Sequence, residues 1–366
     1  MAAPVNAPVA QLLVRERRQV VIDPVTFADL DGFECDDHLE AFGVFKLSCA
    51  AIAAKSPSLR KAMDASASLE AIAHAALRFS PRGGTEAKQF FETHFTPCRI
   101  SADCVEEHKN GFLTGYFEPI VDGSLTKTGE FTAPLLGRPD NLDAITPYFD
   151  RAAVESETGG GGAAPLVFLR DRIEVFLIQV QGSARVRLRD GRIVRLVYAG
   201  RNGHPYTSIG RILIESGEIA ESAMSLAALK KWVRAKGQNP GEAGLALMHR
   251  NKSYVFFSRQ ENCRSQDGPI GGQGIALSAL RSLAVDRSIW NYGLPFWLSA
   301  NLPRCGREPS PFRRLTIAQD TGSAITGPAR CDIFFGSGDD AGARAGDIRH
   351  KGEVFVFLPA GEVWAL

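Results

Sequence analysis

The order of the periodic segments is the feature that most constrains the fold of this chain. Apolar residues recur with the helical period between about residues 37 and 95, in three pieces separated by Ser56-Pro57 and by residues 80–84. Strand-like runs follow, then helical segments between residues 208 and 249, then strand-like runs again up to residue 358. Blocks of helices alternating with blocks of strands predict an α+β fold with a β-rich core rather than a repeating βαβ sheet.

Two segments give definite local predictions. The first helix is expected to begin after Asp36 and Asp37 and to bury one face formed by Leu39, Phe42, Phe45, Cys49 and Ile52. Residues 166–198 are the clearest β section. We expect strands at 166–169 and 174–180, with 179–183 ending the second, and then a hairpin that turns at Asp190-Gly191.

Composition excludes several classes of protein. The 366 residues include 42 basic and 41 acidic side chains, and this balance predicts no nucleic-acid partner. No apolar run approaches the ~18 residues of a membrane-spanning helix. The first ten residues are expected to be a flexible tether without a secretory signal, so either the protein is cytoplasmic or a leader has been removed. The seven cysteines are scattered without metal-site spacing, so no zinc site is predicted. No organic cofactor is expected either.

Familiar nucleotide-binding and hydrolase motifs do not fit. The glycines at 271, 272 and 274 lack the spacing of a dinucleotide fingerprint, and no phosphate-binding loop is present. Gln181-Gly182-Ser183 comes nearest to a serine nucleophile motif, but it is not expected to precede a helix.

Three aspartates near the C-terminus are the candidate catalytic residues: Asp320, Asp332 and Asp340. Asp332 begins an apolar run that ends at Gly336, and a carboxyl at the mouth of such a strand is partly desolvated. Desolvation raises its pKa, so that it can hold a proton for a leaving oxygen near neutral pH. The alternative is that all three aspartates cap turns.

Polar and aromatic residues in three segments are the candidate substrate-binding set. Aromatic faces and short polar groups together are typical of sugar sites, although each residue could instead be an ordinary strand or turn residue. The candidates are Thr114, Tyr116, Glu118, Gln179, Gln181, Ser183, Tyr198, Asn202, His204 and Tyr206.

These segments, in this order, resemble the membrane-bound lytic murein transglycosylase A family with its C-terminal 3D domain. Further blocks of the resemblance are Ser208-Ile209-Gly210, residues 253–257 and residues 286–288. The resemblance implies a double-psi β-barrel formed by residues 21–125 and 266–366, with the 3D segment at about 290–360. It also implies a second β-rich domain inserted at 126–265, with a groove between the domains; from composition, the N-terminal segment 1–20 is expected to be flexible.

The resemblance further implies non-hydrolytic cleavage of the β-1,4 bond between N-acetylmuramic acid and N-acetylglucosamine in peptidoglycan, giving 1,6-anhydro products. Asp332 matches the single catalytic acid and base, and Asp320 and Asp340 match the supporting aspartates, with Asp339 as the alternative to Asp340. The rival readings are a glycoside hydrolase on a similar barrel and a non-catalytic peptidoglycan-binding module.

Location and partners are also implied by the resemblance. A peptidoglycan substrate implies a periplasmic, cell-envelope protein, associated with the outer membrane through an anchor that is not visible in this chain. The expected partners are glycan strands and cell-wall enzyme complexes, and the expected state is a monomer.

Overall fold

The computed structural model describes residues 11–15, 18–101, 110–156, 162–261, 267–304 and 307–361. Within these residues the α-helices are α1 (His38–Ala53), α2 (Ala67–Arg78), α3 (Gly84–His94), α4 (Arg151–Val154), α5 (Arg172–Gln181), α6 (Ile209–Glu215), α7 (Leu226–Ala235), α8 (Ala243–His249) and α9 (Asp339–Gly346).

The strands carry most of the architecture, which confirms the predicted α+β, β-rich class. They are β1 (Gln11–Arg15), β2 (Arg18–Pro24), β3 (Phe95–Ser101), β4 (Gly111–Glu118), β5 (Ile120–Asp122), β6 (Ala133–Leu136), β7 (Pro165–Leu169), β8 (Ser183–Arg187), β9 (Ile193–Arg201), β10 (Val255–Gln260), β11 (Ser282–Ala284), β12 (Pro295–Arg304), β13 (Arg307–Asp320), β14 (Arg330–Ser337) and β15 (Arg349–Pro359).

The chain forms two compact units. The first contains residues 1–116, 270–336 and 347–366, and the second contains residues 117–269 and 337–346. The domain limits implied by the resemblance stay a prediction. The tether expected at residues 1–10 lies outside the described residues, and strand structure begins at Gln11, inside the segment expected to be flexible.

The first unit is built around a closed barrel. Its strands follow the order β1-β2-β3-β15-β12-β13-β11-β14-β4, and β15 pairs with β4 as well. This extra pairing closes β15, β12, β13, β11, β14 and β4 into a six-stranded ring. The parallel pairing of β11 with β13 contrasts with the antiparallel pairing of β12 with β13. Trp297, Phe296 and Phe355 are buried in the core of this unit.

Helix α1 packs on the first unit through aromatic side chains. Asp37 caps the helix by accepting the backbone N–H of Glu40 at 2.9 Å, as expected. Phe42, Phe45 and Cys49 are buried, which confirms that part of the predicted face. The prediction for Leu39 was wrong, because its side chain is 44% exposed. At about 100° per residue Leu39 lies at the edge of the apolar stripe, and the neighbouring His38 is buried instead.

A buried arginine ties the start of α1 to the barrel. Arg281, just before β11, has no exposed side-chain surface and binds the Asp36 carboxylate through both terminal nitrogens, at 2.7 and 3.0 Å. Its Nε also donates to Glu40 at 2.7 Å, and Nη1 donates to the carbonyl of Leu315 at 2.9 Å. These acceptors offset the free-energy cost of burying the Arg281 guanidinium cation.

The second unit contains a four-stranded sheet, β10-β9-β8-β5, and the separate pair β6-β7. The predicted hairpin is confirmed, since β8 and β9 pair antiparallel from Arg187–Ile193 to Ser183–Val197. Its loop is longer than the two residues expected. Residues 188–192 form it, and Gly191 takes a left-handed backbone conformation with φ +86°.

The strand predicted at residues 174–180 is wrong, because this segment lies in helix α5. Asp171 caps the helix by accepting the N–H of Glu174 at 3.1 Å, and Gly182, with φ +82°, ends it. The helix is buried on two sides: Val175 and Ile178 pack in one apolar cluster, while other residues of α5 pack in a second. Burial on two sides removes the one-sided apolar pattern by which a helix is recognised.

We expect Arg281→Ala to lower the free energy of unfolding of the first unit by about 3 kcal/mol, because the buried Asp36 carboxylate loses its partner. Denaturant titration of full-length protein measures this change. Arg314→Ala is the matched control, since Arg314 is partly exposed and lies 3.8 Å from Glu40; it should cost less than about 1 kcal/mol. Equal losses in the two variants would contradict the role assigned to Arg281.

Candidate active site

The barrel strands place two of the three predicted aspartates in one row. Strand β11 lies between β13 and β14, and its residue Ala284 pairs with Asp320 on one side and Asp332 on the other. Residues aligned across neighbouring strands point to the same face of a sheet. The two carboxyls therefore lie on one face, separated at their Cα atoms by about 10 Å, which is twice the strand spacing.

Strand β4 supplies a hydroxyl to each of these carboxyls. Thr114 and Tyr116 are two residues apart on β4 and so face the same side. Thr114 Oγ1 donates to Asp332 Oδ1 at 2.5 Å, and the Tyr116 hydroxyl donates to Asp320 Oδ2 at 2.8 Å. The structure thus brings four of the predicted site residues together in the first unit.

The pKa of Asp332 is shifted in the direction predicted from the sequence. Burial raises it from 3.8 to about 6, and the negative charge of Asp320 adds to the rise. The hydrogen bond from Thr114 and the positive charge of Arg330 act in the opposite direction. No described residue donates a hydrogen bond to Asp332 Oδ2. This carboxyl can therefore carry a proton on Oδ2 in mildly acidic solution.

Asp320 differs from Asp332 in that both of its oxygens are occupied. Its Oδ1 accepts the backbone N–H groups of Gly272 at 2.7 Å and Thr321 at 2.8 Å, and its Oδ2 accepts the Tyr116 hydroxyl. Burial, followed by the charge of Asp320, raises the pKa of Tyr116 well above its ordinary value, so the phenol remains a donor. The arrangement holds the Asp320 carboxyl in place and leaves neither of its oxygens without a donor.

Sequence reasoning missed the loop that holds Asp320. A side chain at Gly272 would bring its Cβ within 2.4 Å of the Tyr292 hydroxyl and 3.3 Å of Asp320 Oδ1. Glycine is therefore needed for this close backbone approach. Arg60 is attached to this loop, since its backbone N–H donates to the Gly272 carbonyl at 3.0 Å. The three closely spaced glycines at 271, 272 and 274 were the available signal, but they match no named motif.

Asp340 belongs to the second unit. It lies in the first turn of α9 beside Asp339, and both side chains are exposed. Acidic residues in this position are favoured by the partial positive charge of a helix N-terminus. The structure gives no geometric reason to prefer one of the two over the other.

Glu118 is sealed inside the second unit. Its side chain has no exposed surface; Arg185 Nε donates to one oxygen at 2.7 Å and Arg195 Nε to the other at 2.8 Å. Ser337 Oγ donates to the first oxygen as well, at 2.7 Å. Both oxygens of Glu118 are therefore occupied by donors of the protein and are not available to a ligand.

Asn202 and His204 hold loops of the second unit together. The Asn202 amide donates to the carbonyls of Phe149 and Lys252 at 3.0 and 2.8 Å, and its oxygen accepts the N–H of Tyr254 at 2.9 Å. The His204 Nε2 atom lies 2.8 Å from the carbonyl oxygen of Tyr148. These hydrogen bonds give both residues a structural role, which is to connect neighbouring loops.

The remaining candidates of the second unit differ in exposure. Gln181 is half-buried, and its Oε1 accepts the backbone N–H of Phe117 at 3.0 Å. Tyr198 and Tyr206 are half-buried, whereas Gln179 and Ser183 are buried. The half-buried residues of this set are the ones that a ligand can reach.

The described residues contain neither a cluster of metal-ligating side chains nor a membrane-spanning helix. No group of three or more His, Cys, Asp or Glu side chains there is arranged to hold a metal ion. None of the described helices has the length and apolar character needed to cross a membrane.

Comparison with known proteins identifies two family domains in the chain. Residues 112–258 match the MltA specific insert domain, and residues 281–358 match the 3D domain. The second match contains Asp320, Asp332 and Asp340, and the first contains all ten candidate binding residues.

Individual proteins agree with the domain matches. The chain is 33% identical to "Membrane-bound lytic murein transglycosylase A" of Escherichia coli K12 over 265 residues, which is 70% of this chain and 67% of that protein. A crystal structure of membrane-bound lytic murein transglycosylase from Agrobacterium tumefaciens superposes with a TM-score of 0.80 at 32% identity, covering 92% of this chain and 97% of the other.

A third comparison is with a liganded structure. E. coli MltA with bound chitohexaose superposes with a TM-score of 0.67 at 26% identity, covering 96% of this chain and 94% of the other. Taken with the two matched domains and the E. coli relative, this assigns the chain to the membrane-bound lytic murein transglycosylase A family.

Proposed function

We propose that this protein is a peptidoglycan lytic transglycosylase that cleaves the β-1,4 bond between N-acetylmuramic acid and N-acetylglucosamine. The observation that carries the proposal is Asp332, a carboxyl with a pKa of about 6 that has one oxygen bound by Thr114 and the other without a described donor. The relative whose structure contains chitohexaose supports a glycan chain as the substrate.

In the proposed reaction Asp332 acts twice. The protonated carboxyl donates its proton to the glycosidic oxygen as the bond between that oxygen and the anomeric carbon breaks. The 6-hydroxyl of the same sugar then attacks the anomeric carbon, and its proton passes to the Asp332 carboxylate. No water is consumed, the product carries a 1,6-anhydro ring, and Asp332 is protonated again for the next cycle.

The intramolecular nucleophile explains why one reactive carboxyl is enough. A hydroxyl already tethered to the reacting ring can lower the barrier by about 7–11 kcal/mol relative to a free nucleophile in well-oriented systems. In this scheme Asp320 is a fixed negative charge that favours the positive charge developing on the sugar ring. The family resemblance supports Asp340, or its neighbour Asp339, as a further supporting aspartate.

A glycoside hydrolase is the less favoured alternative. A hydrolase needs a second carboxylate that activates water or attacks the sugar. Asp320 is the nearest candidate in the first unit, but both of its oxygens already accept hydrogen bonds. We therefore place Asp320 in an electrostatic role.

The proposal extends to binding and location. Gln181, Tyr198 and Tyr206 contact the glycan as half-buried members of the predicted binding set, whereas Glu118 and Asn202 support the unit that carries them. The protein acts in the periplasm, where its substrate lies, as a monomer that joins cell-wall enzyme complexes.

Asp332→Asn should lower turnover on purified sacculi by at least about a thousandfold, since the amide has no proton to donate. The amide oxygen can still accept the Thr114 hydroxyl, so binding to sacculi should persist. Released muropeptides are identified by mass spectrometry, and wild-type products should be one water lighter than those of a hydrolase. Products of hydrolytic mass would favour the hydrolase, and binding without any release would favour the non-catalytic module.

The same substitution should stabilise the protein above pH 6. The pKa of Asp332 is about 6 in the folded protein and near 3.8 in the unfolded chain, so the ionised form is penalised on folding. This penalty is absent below about pH 4 and complete above about pH 6, where it reaches at most about 3 kcal/mol. Denaturant unfolding of Asp332→Asn and wild type should therefore agree at pH 4 and diverge by pH 8. A difference that does not depend on pH would contradict the assigned burial.

The pH dependence of kcat/KM should reflect the ionisation of the Asp332 carboxyl. Because Asp332 must begin protonated, kcat/KM should fall above pH 6 by about tenfold per pH unit. Thr114→Val removes a hydrogen bond that lowers the Asp332 pKa, so this limb should move to higher pH. Thr114→Ser keeps the hydroxyl and should leave the limb in place. A limb that is identical in the valine and serine variants would refute the assignment to Asp332.

A further inference from the structure

Arg330 is a half-buried arginine that faces a hydroxyl where a carboxylate would be its usual partner. It begins β14, and its Nη2 donates to Thr114 Oγ1 at 2.9 Å. Its Nη1 donates to the carbonyl of Cys331 at 2.7 Å, and the guanidinium lies 5.2 Å from the centroid of the Phe112 ring. None of the described residues forms a salt bridge with Arg330.

The hydrogen bonds around Thr114 have a fixed direction. A hydroxyl has one proton to donate, and a guanidinium can only donate. Because Arg330 donates to Thr114 Oγ1, the Thr114 proton must point elsewhere, and Asp332 Oδ1 is its acceptor at 2.5 Å. The chain of donors therefore runs from Arg330 through Thr114 to Asp332, whatever the protonation state of the carboxyl.

This direction distinguishes the two oxygens of Asp332. An oxygen that accepts the Thr114 proton is a poor place for the acid proton, which is left to the other oxygen. Resting on the function proposed above, we propose that Arg330 is a positioning residue. It locks the Thr114 hydroxyl toward Asp332 Oδ1, so that Oδ2 both delivers the proton to the glycosidic oxygen and recovers one from the 6-hydroxyl.

The Thr114 hydroxyl separates the Arg330 guanidinium from the Asp332 carboxyl, and this separation has a chemical advantage. A direct arginine–carboxylate pair would hold Asp332 ionised and prevent it from acting as an acid. With Thr114 between them, Arg330 orients the carboxyl and still stabilises the carboxylate that forms after proton donation. The carbonyl of Cys331 and the Phe112 ring hold the guanidinium in place from its other sides.

A double-mutant cycle tests this inference on the full chain. Wild type, Arg330→Met, Thr114→Val and the double variant are compared on soluble, uncross-linked peptidoglycan chains at pH 5, where Asp332 is protonated in all four. We expect Arg330→Met to lower kcat by about 10- to 100-fold and to change KM less than about twofold. In the Thr114→Val background the same substitution should have no further effect, since Arg330 acts through the hydroxyl.

Companion variants separate positioning from loss of structure. Arg330→Lys keeps a charged donor and should retain kcat within about fivefold of wild type. Arg330→Gln has an amide that can accept from Thr114, so the hydroxyl can reverse and the loss should match that of methionine. The glutamine variant also replaces Arg330→Met if the methionine variant does not fold. Arg78→Met, at the end of α2, is the matched control and should behave as wild type.

The pH profile adds a readout that general loosening would not change. Arg330→Met should move the alkaline limb of kcat/KM to higher pH, because the positive charge of Arg330 lowers the Asp332 pKa. A limb that stays in place would overturn the inference. So would losses that multiply in the double variant, and so would a rise in KM at unchanged kcat, which would make Arg330 a substrate ligand.

Failure of this inference is distinct from failure of the proposed function. If Asp332→Asn retains turnover, the proposed function falls and the inference falls with it. If Asp332→Asn is inactive and the losses of Arg330→Met and Thr114→Val multiply, the acid remains Asp332 and only the role of Arg330 is refuted.

Discussion

Closure of the barrel by β4 is the constraint on which the site depends. This strand neighbours β14 in the sheet and also pairs with β15, from Gly111–Gly352 to Thr114–Arg349. Closure fixes the register of β4, and only in that register do Thr114 and Tyr116 meet the two aspartates. A shift by one residue would turn both hydroxyls to the opposite face. The same pairing that completes the fold therefore also sets the chemistry.

Glu118 and Asp332 show how the number of donors decides what a carboxyl can do. Glu118 accepts hydrogen bonds from two arginines and a serine hydroxyl, and these contacts stabilise the second unit. Asp332 receives one hydroxyl, and burial raises its pKa to about 6. The two carboxyls therefore differ in their neighbouring donors, and Asp332 also keeps some exposed surface whereas Glu118 has none. Local sequence around each residue does not reveal it, since the arginines lie 67 and 77 residues from Glu118 along the chain.

Much of the fold and part of the site could be predicted from the sequence. Helices with one apolar face, such as α2, and the hairpin of β8 and β9 were found because their patterns are local. Helix α5 was missed because burial on two sides hides its period. Asp332 could be proposed as the acid because the apolar run that it begins predicts its desolvation, and the raised pKa agrees with that. Arg330 and Gly272 were missed because their roles depend on partners in other strands, Thr114 and Asp320, which barrel closure brings into contact. The family resemblance supplied the activity, which no local pattern could have given.

A single carboxyl that must serve as acid and then as base needs a pKa between the extremes. If burial alone set the Asp332 pKa, the protonated carboxyl would be too stable and would be slow to release its proton to the leaving oxygen. If Arg330 bound the carboxylate directly, no proton would be available at the start of the cycle. Burial and the charge of Asp320 raise the Asp332 pKa, while Thr114 and Arg330 lower it, and the balance is about 6. The hydrogen bond from Thr114 lowers the Asp332 pKa and also fixes which carboxyl oxygen accepts the hydroxyl proton. The same contact therefore sets both the acidity and the orientation of Asp332.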